Sequence, residues 1–191
     1  MVRNWNQHIE HGFFANVGLA ALNNGLHASG KSGAALQQVA DTMDEATMAD
    51  WTLPIFSRGM LRGEALARYV NTQVGGQRIE QLPLPLGIVA TDLHSGQSIL
   101  FQRGDTGTAV RASSAVPAVF QPVAIGGREY VDGGLVSPVP VRYARQMGAE
   151  LVVAVDISGE PAEERRDLPN PWEALVITVL VMANAIVVEK L

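Results

Sequence analysis

One carboxylate with two glycines behind it is the most informative chemical signal in this sequence. In Tyr130-Val-Asp-Gly-Gly-Leu135 a short strand-like run ends at Val131, so Asp132 falls at the carboxyl end of a predicted strand. Layered α/β proteins place their sites at that end of a strand. Gly133 and Gly134 permit a tight turn and let a second stretch of backbone come close. A carboxylate so placed can accept the proton of a nucleophilic hydroxyl, or orient the group that does. Asp-Gly is also a common turn dipeptide, in which the aspartate only bonds its own backbone.

Four serines are the candidate hydroxyls. Ser29 and Ser32 stand at a helix boundary, where serine is ordinarily a cap, and Ser113 and Ser114 lie just upstream of Asp132. A second pattern competes for Ser32. Gly25-Leu-His-Ala-Ser-Gly-Lys-Ser32 satisfies G-x-x-x-x-G-K-S, the phosphate-binding loop in which Lys31 and Ser32 would meet a nucleotide and its magnesium. A helix follows it, and residues 151–156 read as an apolar strand ending in an aspartate. Such a loop should follow a buried strand, however, whereas residues 18–24 are rich in Ala, Leu and Asn and read as helix. Nucleotide binding is therefore the alternative reading. His8, His11, His27 and His94 show no metal-ligand spacing and read as surface or core-edge residues. No cofactor and no metal is expected.

Positioning Asp132 requires a scaffold, and the pattern of the chain supplies one. Residues 13–26 read as a helix closed by Asn and Gly, 30–33 as a turn, and Leu36, Val39, Ala40 and Met43 share one face of a second helix. A loop containing Pro54 leads to a third helix near 62–73, ended by Gly75 and Gly76. Residues 86–91 and 98–101 read as strands around a turn at 94–96, and 109–115 as a short helix stopped by Pro117. A hairpin of 123–125 and 128–131 turns at Gly126 and Gly127. Residues 138–147 are predicted helical with Gly148 as the cap, and 151–155 form an apolar strand suited to a sheet covered on both faces. A charged loop over 158–170 precedes an apolar helix at 174–188. Strands alternating with helices predict a layered α/β fold, a central and mostly parallel sheet flanked by helices.

Bulk properties narrow the partners. The chain has 191 residues, 47% hydrophobic and 17% charged, which suits a single domain over 1–191 with a full core. A net charge of −5 without a Lys/Arg stripe excludes a nucleic-acid footprint and a basic membrane-binding patch. The absence of cysteine excludes disulfides, thiolate catalysis and Cys-ligated metal sites, and suits a cytoplasmic protein. No signal peptide is read at the N-terminus. The run at 174–188 is shorter than the ~20 residues needed to span a bilayer. It reads as a buried or oligomer-facing helix, with peripheral membrane association as the minor alternative.

Several further segments surround Asp132. Arg111-Ala-Ser-Ser-Ala-Val-Pro-Ala-Val-Phe-Gln-Pro-Val123 precedes it, and Val136-Ser-Pro-Val-Pro-Val141 follows it. Ile88-Val-Ala-Thr-Asp-Leu-His-Ser-Gly96 and Gly148-Ala-Glu-Leu-Val-Val-Ala-Val-Asp156 stand further out. In this order and spacing they resemble the catalytic domain of bacterial patatin-like phospholipases, whose R-A-S-x-A-x-P segment precedes a D-G-G or D-G-A motif. The turn at Ala28-Ser-Gly-Lys-Ser-Gly33 resembles the end of that family's nucleophile-bearing helix. The resemblance is strongest over 28–156, with 1–27 divergent. It implies a Ser–Asp lipid acyl hydrolase acting on lipid or acyl-ester substrates, with Asp132 of the Asp132-Gly133-Gly134 motif as the dyad base. It also implies that Ser113 and Ser114 occupy structural positions.

The family carries its serine in G-x-S-x-G, on a sharp strand-to-helix turn. No such motif occurs here, nor the glycine-rich loop whose N–H groups would stabilise the developing negative charge. Counting back without gaps from Ala28-Ser-Gly30 puts Gly18 where the nucleophile belongs. In the preferred alternative, residues 12–26 match the first family helix, and the N-terminal strand and serine elbow are missing. Neither alignment recovers a nucleophile, so the chain is expected to be inactive, a pseudoenzyme or the product of a truncated gene, with a non-catalytic lipid-binding module as a further alternative. Loss of a strand would expose a sheet edge, so self-association through that edge or through the apolar helix is a further expectation.

Overall fold

The computed structural model describes residues 14–16, 20–42, 50 and 59–154. Its spine is β3 (Leu86–Asp92), whose seven residues are all buried. A strand so apolar on both sides of its pleat demands cover on both faces. Leu86 and Ile88 point to one face, where they meet Leu22 and Leu26 of α1 (Ala20–Ala28), Leu66 and Val70 of α3 (Glu64–Gln73) and Val110 of α4 (Thr106–Ser113). Gly87 points to the other face. A Cβ there would lie 2.6 Å from Met147 Sδ, which follows α5 (Val141–Gln146), so glycine lets the Met147 side chain pack directly on the strand. The expected arrangement of helices on both faces of a sheet is present.

Four strands join β3. The hairpin partner β4 (Ser98–Phe101) runs antiparallel along one edge, from Ile88 opposite Phe101 to Thr91 opposite Ser98. The other edge is shared. There β1 (Phe14–Asn16) runs parallel beside Leu86–Ile88, and β7 (Arg128–Asp132) runs antiparallel beside Ala90–Asp92. Strand β6 (Val123–Ile125) pairs antiparallel with β7 through the Gly126–Gly127 turn. A separate parallel pair joins β2 (Gly59–Leu61) to β5 (Ala118–Phe120). A Cβ on Gly59 would fall 2.4 Å from the Phe120 carbonyl carbon, so glycine is required there too.

Local chemistry explains the helix ends. Asp105 caps α4 by accepting the Thr108 N–H at 2.7 Å. The Asp50 carboxylate accepts the N–H groups of Gly63 and Ala65 at 2.6 and 2.9 Å, capping α3 from far back in the chain. Helices α3 and α4 cross closely at Gly107, where a Cβ would meet the Ala67 carbonyl oxygen at 2.1 Å. Helix α2 (Gly33–Thr42) begins at the predicted turn, and none of its residues is buried.

Three expectations change. The helix expected over 13–26 is instead a strand at Phe14–Asn16 and a helix from Ala20, so a strand does stand directly ahead of α1. Three residues are too few to show a strand period, and pairing with β3 decides their state. The sheet is less parallel than expected: among the described strands of this sheet, β1 with β3 is the only parallel pair, and the other three pairs are antiparallel. The strand expected over 151–155 is not formed at 151–154, where Leu151 is 81% and Val153 61% exposed. An apolar run becomes a strand only when a ladder partner is available, and no described strand pairs with it. The loop over 158–170 and the apolar run at 174–188 lie outside the described residues. Among the described helices none is long and apolar enough to cross a membrane.

Candidate active site

Two strands meet end to end on one edge of β3. Asn16 closes β1 beside Ile88, and Asp132 closes β7 beside Ala90. Because β4 occupies the opposite edge along this stretch, the ends of β1 and β7 face each other across a break that spans two residue steps of β3, about 7 Å at the usual strand rise. Val89 lies opposite that break, paired on this edge by neither strand. Its carbonyl oxygen accepts the Ser113 hydroxyl at 2.7 Å, so a side chain from the end of α4 replaces the missing ladder bond. Two residues later the Ala115 carbonyl accepts the Asp132 N–H at 3.0 Å. Residues 113–115 therefore plug the break from the helix side.

Asp132 is fixed on three sides. Its N–H is held by Ala115, its carbonyl oxygen accepts the Thr91 hydroxyl at 2.8 Å, and its Oδ1 accepts the Gly134 N–H at 2.7 Å. The last contact caps the short 3-10 turn Gly133–Leu135, as the Asp-Gly-Gly sequence suggests. The turn reading and the site reading of this aspartate are thus both compatible with one geometry. Burial pushes the carboxyl up to about 6, against the smaller opposing effect of the Gly134 N–H. A group so adjusted is mostly ionised at neutral pH yet a stronger base than a free carboxylate.

The other candidate hydroxyls are engaged in structure, with one exception. Ser29 donates to the Leu26 carbonyl at 2.6 Å, and Ser32 accepts the Ala35 N–H at 3.3 Å at the start of α2. Ser113 bonds Val89. Ser114, beside it and buried, has no hydrogen-bond partner for its hydroxyl. The structure brings neither Ser29 nor Ser32 to Asp132. Thr91 was not singled out from the sequence, although a hydroxyl inside an otherwise apolar strand is the signal that could have found it.

The phosphate-loop alternative is not supported. Gly25 lies buried inside α1, and no strand precedes it directly. The N–H groups of Ser29, Gly30 and Lys31 bond the carbonyls of Gly25, His27 and Leu26, closing that helix. Those donors are not free to cradle a phosphate. His27 is partly buried beside the Lys31 carbonyl and His94 is exposed, while His8 and His11 lie outside the described residues. Among the described residues no group of three or more His, Asp or Glu side chains could hold a metal ion.

Comparison with known proteins gives a concordant result. A family model described as patatin-like phospholipase matches residues 17–145, beginning at the junction between β1 and α1. An NTE family protein of Mycobacterium tuberculosis, itself described as uncharacterized, is 37% identical over 158 residues, covering 82% of this chain and 44% of that protein. A second such protein of the same organism is 34% identical over 110 residues, covering 58% of this chain and 18% of its own length. Patatin-like phospholipase domain-containing protein 7 of Mus musculus is 30% identical over 131 residues, which are 68% of this chain and 9% of the mouse protein. The chain spans less than half the length of each of these relatives.

Proposed function

The chain belongs to the patatin-like phospholipase family, and from that premise we propose that it carries the aspartate half of a Ser–Asp site for lipid acyl esters, with Asp132 as the proton acceptor. One observation carries this reading: the ends of β1 and β7 face each other across about 7 Å on one edge of β3. The carboxyl end of β1, at Asn16, therefore lies beside the end of β7 at Asp132. This favours the ungapped alignment, in which the family's serine position falls between β1 and α1. That junction reads Val17-Gly-Leu19, with Gly18 where the family has serine.

In an active relative's chemistry, the ionised aspartate takes the serine proton as the oxygen attacks the ester carbonyl carbon. The alcohol then leaves, and water releases the acyl group from the serine. Asp132 has the burial and the basicity for the first step. The hydroxyl it would activate is absent from this chain, so the chain as it stands binds acyl-ester lipid without turning it over. The role is that of a lipid-binding pseudoenzyme.

Labelling with a fluorophosphonate probe, followed by peptide mapping, tests both halves. The wild-type chain is expected to remain unlabelled. The Gly18→Ser variant is expected to label at position 18 at least about a hundredfold faster. That label should disappear when Asp132→Ala is added. A wild-type adduct lost in Asp132→Ala would overturn the inactivity and keep the base. An adduct that survives Asp132→Ala would overturn the assignment of Asp132.

A further inference from the structure

Strand β3 carries one hydroxyl, Thr91, in a buried run of Leu, Gly, Ile, Val and Ala that ends at Asp92. Thr91 is buried, and its register partner on β7 is Val131. Valine has the same shape, suits a strand equally well and would bury no polar atom. What the hydroxyl adds is one bond. It reaches past Val131 to donate to the Asp132 carbonyl oxygen at 2.8 Å.

That bond completes a restraint on the aspartate. The peptide plane before its Cα carries the Asp132 N–H, which the Ala115 carbonyl accepts at 3.0 Å. The plane after it carries the Asp132 carbonyl, which Thr91 holds. Each plane is rigid, so fixing both sets φ and ψ, and with them the Cα–Cβ direction. The Gly134 N–H, 2.7 Å from Oδ1, then selects the side-chain rotamer. The two planes differ in what stands behind them. Upstream lies β7, paired with β3; downstream lie Gly133 and Gly134, whose backbone is the most permissive available. The plane after Asp132 therefore draws its stiffness from Thr91, whose branched side chain is itself restricted at χ1.

We propose that Thr91 is the positioning residue of Asp132, its hydroxyl locking the peptide plane that aims the carboxylate. The inference deepens the reading of Asp132 as proton acceptor and rests on it for its chemical consequence. The Thr91 bond is to the backbone and not to the carboxylate, so Thr91 acts through Asp132.

The experiment compares Thr91→Val, Thr91→Ser and Thr106→Val in the full chain, with Thr91→Ala where Thr91→Val does not fold. Thr106 is the control. It too is buried, and its hydroxyl donates to a carbonyl, that of Gln77, at 2.7 Å, at the far end of α4 from Ser113. The first readout is the Gly134 amide shift against pH by NMR, which in wild type should titrate with Asp132 near pH 6. Thr91→Val is expected to abolish most of that step, because a re-aimed carboxylate loses the Gly134 N–H. Thr91→Ser and Thr106→Val should keep it. In the Gly18→Ser background, Thr91→Val should also slow fluorophosphonate labelling about ten- to a hundredfold, with the other two variants close to their parent. A Gly134 profile unchanged in folded Thr91→Val, or labelling that is not slowed, would overturn the inference and leave Asp132 as proton acceptor. Equal losses in Thr106→Val would also overturn it, by tracing the effect to general loosening. An altered profile with no labelling of Gly18→Ser in any variant would keep Thr91 as the holder of the aspartate and overturn the hydrolase reading instead.

Discussion

Asp92 and Asp132 close adjacent strands of one sheet, two residues apart in register, and they are held in opposite ways. The Asp92 side chain is fully buried, which alone would raise its carboxyl; the Arg128 guanidinium and the N–H groups of His94 and Ser95 more than reverse this and hold it below the usual carboxylate range. Asp132 is less buried but has one N–H donor, from Gly134, and burial carries it up to about 6. Left-handed backbone falls on different residue types: the turn after Asp92 takes its step at Gly96, φ 68, whereas Ala118, the first residue of β5, takes one at φ 69. What distinguishes an anchoring carboxylate from a reactive one is the number of donors supplied, not burial alone.

Three substitutions test that contrast. Asp92→Ala should lower the thermal unfolding midpoint by several degrees, since it leaves the His94 and Ser95 N–H groups and the Arg128 guanidinium unmatched. Asp132→Ala should cost clearly less; the reverse ranking in matched melts would break the comparison. The pH dependence should also have opposite sign. A depressed carboxyl such as Asp92 gives stability that is present above the unfolded value of about 4 and lost as the pH falls through its folded value. A raised carboxyl such as Asp132 makes stability fall as the pH rises from about 4 to about 6. Asp132→Asn, which keeps the oxygen that caps Gly134, should therefore be more stable than wild type by about 3 kcal/mol at pH 7 in urea unfolding. The two curves should converge near pH 4; a gap that persists there would refute the burial-driven shift.

The smaller effects concern the two left-handed positions. Gly96→Ala meets no atom within 4 Å, so its expected loss of about 1 kcal/mol is purely backbone strain. Ala118→Gly should go the other way, a gain of about 0.5 kcal/mol, partly offset by the freedom glycine has in the unfolded chain. Equal and same-signed changes in calorimetry would show that Ala118 is not strained.

Asp132 was legible in the sequence because a strand-ending aspartate before two glycines restricts both its place and its turn. The two hairpins and the helices from Gly33 onward were legible for similar reasons, through periodicity and breakers. Phe14–Asn16 was not, because a strand of three residues has no period and is defined by a partner remote in sequence. Nor could Ser113 and Ser114 be told apart. The sequence gives them identical chemistry, and only the break opposite Val89 engages one and isolates the other. Residues 151–154 show the converse, an apolar pattern that implied a ladder partner no described strand supplies.

The pairing of β1 with β3 also sets an order of events during synthesis. The β3–β4 and β6–β7 hairpins close over a few residues, whereas β1 leaves the ribosome first and must wait for Leu86–Ile88 before it has anything to pair with. A nascent chain therefore holds Asp132 and its plug as a late-completed pair of hairpins and helix, with the β1 end joining across a long closed loop. The end of β1 is brought to the aspartate only when that loop closes, so a half-made protein has no assembled site.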